Sequence, residues 1–145
     1  MNPPKVIVNA DPPKAWFEIV SRGLDRHNTA ATRIVEYYPV AFVIREDGNH
    51  VRGGLLGSLW GQWLHVRSLW VDRRLRGHDN GSQMLAIAEQ HAIERGCKGA
   101  HLDTASFQAR PFYEKLGYTV FGTLEDHPVG HSHYLLSKRL GASGR

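Results

Sequence analysis

Cysteine is nearly absent from this sequence, and so are long hydrophobic runs. Cys97 is the only cysteine, so no intramolecular disulfide can form, and a disulfide-stapled secreted fold is excluded. No apolar stretch approaches the roughly 20 residues that a membrane-spanning helix needs, and the N-terminal run Val6–Val8 is too short for a secretory signal. We therefore expect a cytoplasmic protein with no membrane partner.

A strong excess of charge of one sign is also missing. The chain has 18 Lys and Arg against 14 Asp and Glu, for a formal net charge of +4, and no basic run is long enough to indicate a nucleic-acid partner. The apolar share of 41% and charged share of 22% are typical of a globular protein. The length fits one domain, which we predict over residues 1–140, with a disordered tail at 141–145.

Apolar spacing along the chain predicts an α/β (α+β) fold. Helical periodicity predicts helices over residues 14–29, 82–95 and 107–116, and Pro111 should make the first turn of the last one irregular. Apolar runs between turn signals predict strands. The predicted strands cover residues 5–9, 39–45, 51–60, 63–71, 100–104, 118–123 and 133–138. This order predicts a mixed, mostly antiparallel central sheet flanked by helices.

The segment Leu69–Ser82 carries the strongest functional signal. It leads from an apolar strand through a basic, glycine-bearing loop into a helix. Such a turn points backbone N–H groups and the positive end of a helix dipole at one place. Arg73, Arg74 and Arg76 add positive charge beside it. The segment therefore predicts a phosphate or pyrophosphate site, with the ligand lying where the preceding strand diverges from a later neighbour.

Two motifs, about thirty residues apart, carry a family resemblance. Arg76–Gly81 matches the loop pattern R/Q-x-x-G-x-G/A after the strand end Leu69-Trp70-Val71, and Ser106–Tyr118 matches the helix pattern N-x-x-A-x-x-x-Y-E-K-x-G-F/Y. Together they resemble the GNAT superfamily of acyl-CoA-dependent N-acyltransferases. The resemblance spans roughly residues 39–138. It implies a GNAT-like fold and acetyl-CoA as the acyl donor, without a metal. It also implies acetyl transfer to a primary amine of a small molecule by direct attack in a ternary complex.

The resemblance also implies a set of cofactor-binding residues. These are Leu69, Trp70, Val71, Arg76, Gly77, His78, Asp79, Asn80, Gly81, Ser82 and Ser106. Asp79 stands where the family usually has the first glycine of the loop, and Ser106 replaces the usual asparagine. Aspartate tolerates a left-handed backbone, but its carboxylate would repel a phosphate unless it turned to solvent. The alternative is that residues 79–81 form only a turn.

Tyr113 is the predicted catalytic acid. A phenol is protonated at neutral pH and can donate its proton to a departing thiolate, and the resemblance places this residue beside the thioester sulfur. The alternative is an aromatic packed on the helix face. The family also uses a backbone N–H of the Leu69–Val71 strand for the oxyanion. Cys97 follows a helix, whose C-terminal end disfavours a thiolate, so we expect a structural role for it.

The catalytic base and the acceptor site are less defined by sequence. No Asp or Glu lies between Gly53 and Val71, so we predict His65 as the base, because imidazole titrates near neutral pH; a histidine satisfied within the sheet is the alternative. Asp103, Arg67 and Trp60 are the predicted substrate-binding residues. Asp103 would bind or deprotonate a cationic amine, or else serve as a helix cap.

Two other functions stay open at this point. One is a non-catalytic acyl-CoA-binding or regulatory module with the same fold. The other is a metal-binding protein using His127, His131 and His133, although Pro128 and Gly130 favour a mobile loop there. A homodimer is also possible, because dimers are common in the family. The sequence does not specify the acceptor.

Overall fold

The computed structural model describes residues 1–141, so positions 142–145 of the predicted tail lie outside the described residues. The chain divides into two compact units, one formed by residues 1–35 and the other starting at Glu36. No helix within the described residues is long and apolar enough to cross a membrane. The prediction of one domain over residues 1–140 stays a prediction.

The first unit contains helix α1, Lys14–Thr32, three residues longer than predicted. The helix ends at Arg33, whose left-handed backbone (φ 61°) lets its N–H donate to Thr29 O at 2.7 Å. The predicted strand over residues 5–9 is wrong, because no strand forms there. A run of three apolar residues with no partner strand has nothing to complete its backbone hydrogen bonds.

The second unit is built on a six-stranded sheet. Its strands are β1 (Tyr38–Glu46), β2 (His50–Trp60), β3 (Trp63–Val71), β4 (Gly99–Ala105), β5 (Thr119–Glu125) and β6 (Ser132–Arg139), and its helices are α2 (Asn80–Glu94) and α3 (Arg110–Lys115). The spatial order is β1-β2-β3-β4-β6-β5. Within residues 1–141, only β3 and β4 run parallel, because α2 connects them as a crossover. The predicted mixed, mostly antiparallel sheet with helices is confirmed.

Strand β3 has a β-bulge at Arg67. Leu56 of β2 pairs with Ser68, but the next residue, Gly57, pairs with Val66, which leaves Arg67 as the extra residue. The bulge resets the alternation of faces, so that Leu64 and Val66 lie in the core before it and Leu69 contacts the core after it. A side chain on Gly57 would overlap the carbonyl of His65, so glycine is required opposite the bulge.

The core lies between α2, α3 and the sheet. Its fully or almost fully buried side chains include Leu55, Leu64, Leu85, Ala88, Ala92, Ala100 and Leu136. A polar connection crosses it, because Tyr118 Oη donates to Glu89 Oε2 at 2.7 Å and Lys138 Nζ donates to Glu89 Oε1 at 2.9 Å. Burial and the neighbouring Glu89 carboxylate raise the pKa of Tyr118. This connection ties α2 to β6.

Helix α3 is shorter than the sequence predicted. The prediction began the helix at residue 107, with Pro111 in its interior, but the helix begins at Arg110. Pro111 therefore lies in the first turn, where a missing N–H costs nothing. The three residues before it form a turn held by Gln108, whose Oε1 accepts from Ala105 N at 2.7 Å. The predicted start at residue 107 is therefore wrong, and residues 107–109, where an irregular first turn was expected, are not helical.

Candidate functional site

The two parallel strands of the sheet separate at the point where the pockets lie. Pairing of β3 with β4 ends at Val66 and Leu102, and beyond that point the edge of β3 that faces β4 has no strand partner. The gap holds a cavity of about 620 Å³, the strand pocket, lined by residues of both strands and by Phe107 and Tyr113. This is the divergence that the sequence predicted for a ligand.

A second cavity of about 370 Å³, the loop pocket, lies along the start of α2. It is lined by Leu75, Arg76, Gly77, Asp79, Asn80, Gly81, Ser82, Phe112 and other residues. The two cavities share five lining residues: Leu69, Val71, Arg76, Ala109 and Tyr113. They are therefore adjoining, and Tyr113 lies where they meet. An elongated ligand could run through both.

The loop between β3 and α2 presents a row of free donors. Within the described residues, the backbone N–H groups of residues 77–82 donate to no protein acceptor. Two side-chain hydrogen bonds hold the loop without using these N–H groups. Asn80 Nδ2 donates to Leu75 O and Arg76 Nε donates to Val71 O, each at 2.9 Å. Consecutive free N–H groups at a helix start bind anions. The arrangement fits a phosphate or pyrophosphate group.

Asp72 fixes the entry to this loop. Its Oδ1 accepts from the backbone N–H of Arg74 at 2.9 Å, and this hydrogen bond, with the side chain of Arg74, holds the pKa of the Asp72 carboxyl below its usual range. The hydrogen bond caps the short 3₁₀ turn Arg73–Leu75. The hydrogen bond therefore fixes the direction in which the loop leaves β3.

Asp79 occupies the left-handed position directly before α2. Its φ is 62° and ψ is 12°, the conformation that glycine adopts most readily and that aspartate tolerates. Its carbonyl accepts from Gln83 N and Ser82 Oγ, while its side chain makes no capping hydrogen bond. The loop therefore keeps its backbone path with aspartate at the position where the family usually has glycine. The Asp79 carboxylate lies beside the free N–H groups.

Tyr113 lies at the meeting point of the two pockets. It is buried, on α3, between the rings of Phe112 and Tyr118. Burial and, to a smaller extent, the carboxylate of Asp103 raise the pKa of its phenol. The group therefore keeps its proton across the whole neutral and mildly alkaline range, and it can act as a hydrogen donor to a group in either pocket.

Asp103 and His133 are joined in the strand pocket region. His133 Nε2 donates to Asp103 Oδ2 at 2.6 Å, because β4 and β6 pair antiparallel and bring the two residues onto one face of the sheet. Asp103 lines the strand pocket together with Tyr113. The Asp103 carboxylate can bind a cationic group and accept a proton from that group. The protonated phenol of Tyr113 lies in the same pocket.

His65 lies in a different surrounding. Its ring stacks on His101, with ring centres 4.4 Å apart and planes 8° apart, and it lines neither pocket. Burial and the neighbouring His65 lower the pKa of His101, against an opposing effect of Asp103. The two imidazoles form a stacked pair within the sheet, and the assignment of His65 as the base stays a prediction.

The other predicted residues divide between the pockets and elsewhere. Arg67 lines the strand pocket, whereas Trp60 lies at the turn where β2 pairs with the opposite end of β3. Ser106 exchanges hydrogen bonds with Ser132, its Oγ accepting at 3.1 Å and its N–H donating at 2.8 Å, so it joins β4 to the start of β6. His78 is exposed and lines neither pocket.

Several lining residues were missed by sequence reasoning. Phe112 and Phe107 border the pockets, and their only sequence signal was their place within the second motif. For the segment with His133, the sequence predicted a substrate-shaping loop rather than a metal site, and it did not predict the contact of His133 with Asp103. The ring of His133 lies 4.7 Å from that of His127, while His131 contacts Phe107. Among residues 1–141, no group of three or more His, Cys, Asp or Glu is arranged to hold a metal ion.

Comparison with known proteins gives consistent matches. The model of the Acetyltransferase (GNAT) family matches residues 10–118. The blasticidin-S acetyltransferase of Streptomyces morookaense is 40% identical over 120 residues, which cover 82% of this chain and 87% of that protein. Both the family match and this relative span the loop pocket and the strand pocket.

Solved structures share the fold. A crystal structure of an acetyltransferase from Bacillus cereus aligns with a TM-score of 0.83 and 34% identity, covering 94% of this chain and 98% of that one. A Bacillus anthracis structure that contains acetyl coenzyme A aligns with a TM-score of 0.62 and 20% identity, over 72% of this chain and 64% of that chain. At that identity the likeness concerns the fold alone.

Proposed function

Since this chain belongs to the Acetyltransferase (GNAT) family, we propose that it transfers the acetyl group of acetyl-CoA to a primary amine of a small molecule. Acetyl-CoA is the acetyl donor of GNAT acetyltransferases. The observation that carries the proposal is the junction of the two pockets at Tyr113. One pocket ends at free N–H donors suited to a pyrophosphate, and the other contains a carboxylate suited to an ammonium group.

In this proposal the cofactor occupies the loop pocket. The N–H groups of residues 77–82 bind the pyrophosphate, and Arg76 adds charge beside it. The pantetheine arm then runs along the open edge of β3 toward Tyr113. An N–H of residues 69–71 on that edge stabilises the oxyanion of the tetrahedral intermediate. Ser106 Oγ accepts from Ser132 N, which leaves its O–H free to donate to the pantetheine arm.

The acceptor amine enters from the strand pocket. Asp103 binds its ammonium form and, with His133 hydrogen-bonded behind it, takes the proton. The neutral amine attacks the thioester carbonyl, so that a C–N bond forms and the C–S bond breaks. The departing thiolate takes the phenolic proton of Tyr113, and the proton that the new amide nitrogen loses restores the phenol, so that the products are the amide and CoA thiol. We assign the base to the Asp103–His133 pair rather than to His65, because His65 lines neither pocket.

Small-molecule acceptors fit this arrangement. The relative named blasticidin-S acetyltransferase acts on a small molecule by its name, and the strand pocket, about 620 Å³, has the size of a small-molecule site. We further propose a cytoplasmic location, since a chain with one buried cysteine needs no oxidising compartment. A homodimer remains part of the proposal.

The proposal is tested by combining acetyl-CoA binding with turnover. Calorimetry of the purified protein with acetyl-CoA should show one site per chain, and a thiol reagent should detect CoA release with primary amines but not with the matching alcohols. Mass spectrometry should find one acetyl group on the amine. Binding without CoA release over the whole amine panel would instead support a non-catalytic acyl-CoA-binding module.

A further inference from the structure

The strand pocket contains opposite charges on its two walls. Arg67 of β3 and Asp103 of β4 are the first residues after the last paired position, Val66 with Leu102, and both line the cavity. They therefore flank the cavity from opposite strands, at the point where the strands separate. The bulge sets the orientation of Arg67, which is the extra residue of β3.

Arg67 has no anionic partner within residues 1–141. The chain's arginine ion pairs in the described part involve Arg22, Arg52, Arg74 and Arg110, and Arg67 also donates no side-chain hydrogen bond there. Asp103 uses one carboxylate oxygen for His133 and forms no ion pair with Arg67. The pocket thus offers a guanidinium and a carboxylate oxygen that do not neutralise each other.

Arg76, the other cation of the strand pocket, is already engaged. Its Nε donates to Val71 O at 2.9 Å, and it also lines the loop pocket, where the proposed pyrophosphate lies. Arg67 is therefore the cation available to an acceptor. Guanidinium groups bind carboxylates and phosphates through two parallel hydrogen bonds.

We infer that the acceptor is a small zwitterion, whose primary amine binds Asp103 and whose carboxylate or phosphate binds Arg67. This inference rests on the proposed acetyl transfer to an amine. Neighbouring strands lie about 4.8 Å apart where they pair, and the walls are wider beyond the last pair. Two to four carbon atoms between the amine and the anionic group match that width.

The test compares matched acceptors that differ only in the anionic group. We choose 3-aminopropionate, 4-aminobutyrate and 5-aminopentanoate, each against its primary carboxamide, with CoA release as the readout. In the unmodified protein, kcat/KM for the acids should exceed that for the amides by roughly 10- to 100-fold, as expected for a charge-assisted hydrogen bond. In Arg67→Gln the ratio of kcat/KM for each acid to kcat/KM for its amide should fall below about threefold.

Arg95→Gln serves as the control. It removes the same charge from an exposed residue at the end of α2, whose side chain lies over Tyr38, outside both pockets, so the preference for acids should persist. Equal turnover of acids and amides by the unmodified protein would overturn the inference and leave the proposed function intact. If acetyl-CoA binds and no amine of this series or of the wider primary-amine panel is acetylated, the proposed function itself fails.

Discussion

His133 Nε2 lies 2.6 Å from Asp103 Oδ2, although the two residues are thirty positions apart in the chain. The pairing of β4 with β6 brings them together. The carboxylate fixes the imidazole tautomer, since Nε2 must carry the hydrogen, and it leaves Nδ1 able to accept a proton. This geometry lets a proton taken from an amine be shared between two groups.

Replacing Asp103 should reduce amine turnover more than cofactor binding. We expect Asp103→Asn to lower kcat/KM for the amine by roughly 10²-fold or more, because the amide neither holds an ammonium nor accepts its proton. The KM for acetyl-CoA should stay within about twofold. Steady-state kinetics with each substrate varied would measure both.

The variant His133→Gln keeps a donor to Asp103 and should have a smaller effect. Equal losses in the two variants would contradict a role for Asp103 as the primary contact.

Tyr113→Phe should lower kcat without weakening acetyl-CoA binding. A positioned general acid contributes roughly 10²–10⁴-fold, and phenylalanine keeps the ring that contacts Phe112 and Tyr118. Because burial raises the pKa of Tyr113 above the ordinary value for a phenol, the unmodified protein should show no alkaline loss of rate from this group below about pH 10. Tyr37→Phe, at an exposed position, is the matched control. A rate unchanged in Tyr113→Phe would remove the residue from the mechanism.

Asp79→Gly should strengthen acetyl-CoA binding. The change removes a carboxylate that stands beside the free N–H groups, and it relaxes a positive φ. We expect Kd to fall roughly threefold to tenfold, measured by calorimetry at low salt. Asp79→Asn keeps a side chain that tolerates the left-handed backbone and removes only the charge, so it should give most of the gain. Weaker binding in both variants would mean that the carboxylate supports the loop.

Tyr118 should make the fold sensitive to alkali. Its pKa is raised above 10.0 in the folded protein, so below pH 10 the phenol is neutral in both states and its stabilising effect is fully present. Above pH 10 the unfolded chain ionises first, and the free energy of unfolding should fall by up to about 1.4 kcal/mol per pH unit for this group. Urea unfolding between pH 8 and 11 would measure the slope.

The variant Tyr118→Phe tests the hydrogen bond from Tyr118 to Glu89 directly. The variant should lose about 1–2 kcal/mol at pH 7, because Glu89 keeps Lys138 but loses a donor. Its stability should also fall less steeply above pH 10 than that of the unmodified protein. Parallel curves for the two proteins would show that Tyr118 does not govern the alkaline loss.

Local signals in the sequence were sufficient for much of the fold. Strand β3 was predicted with its observed bounds because turn residues precede it and a basic loop follows it. The position of the loop between β3 and α2, which we propose binds the pyrophosphate, was predicted because an apolar strand precedes it and a periodic helix follows it. The strand at 5–9 was wrong, since local β propensity does not supply a partner strand.

The acceptor side depended on distant contacts. Asp103 and His133 meet only because β6 inserts between β4 and β5, and no periodicity of the sequence encodes that order. No glycine or proline within β3 indicates the bulge at Arg67. The sequence favoured His65 as the base because it placed this residue on β3. Which residues of β3 line the pockets depends on the bulge at Arg67.

The bulge of β3 divides the strand into two parts that can change independently. Before Arg67, Leu64 and Val66 are buried core residues, and truncating either should cost roughly 1–5 kcal/mol. From Arg67 to Trp70, three of the four side chains are exposed, so replacements there should cost little stability. A protein built this way can acquire a new acceptor through changes at a few positions without first being stabilised elsewhere, and mutant libraries for altered specificity are best directed to this short stretch.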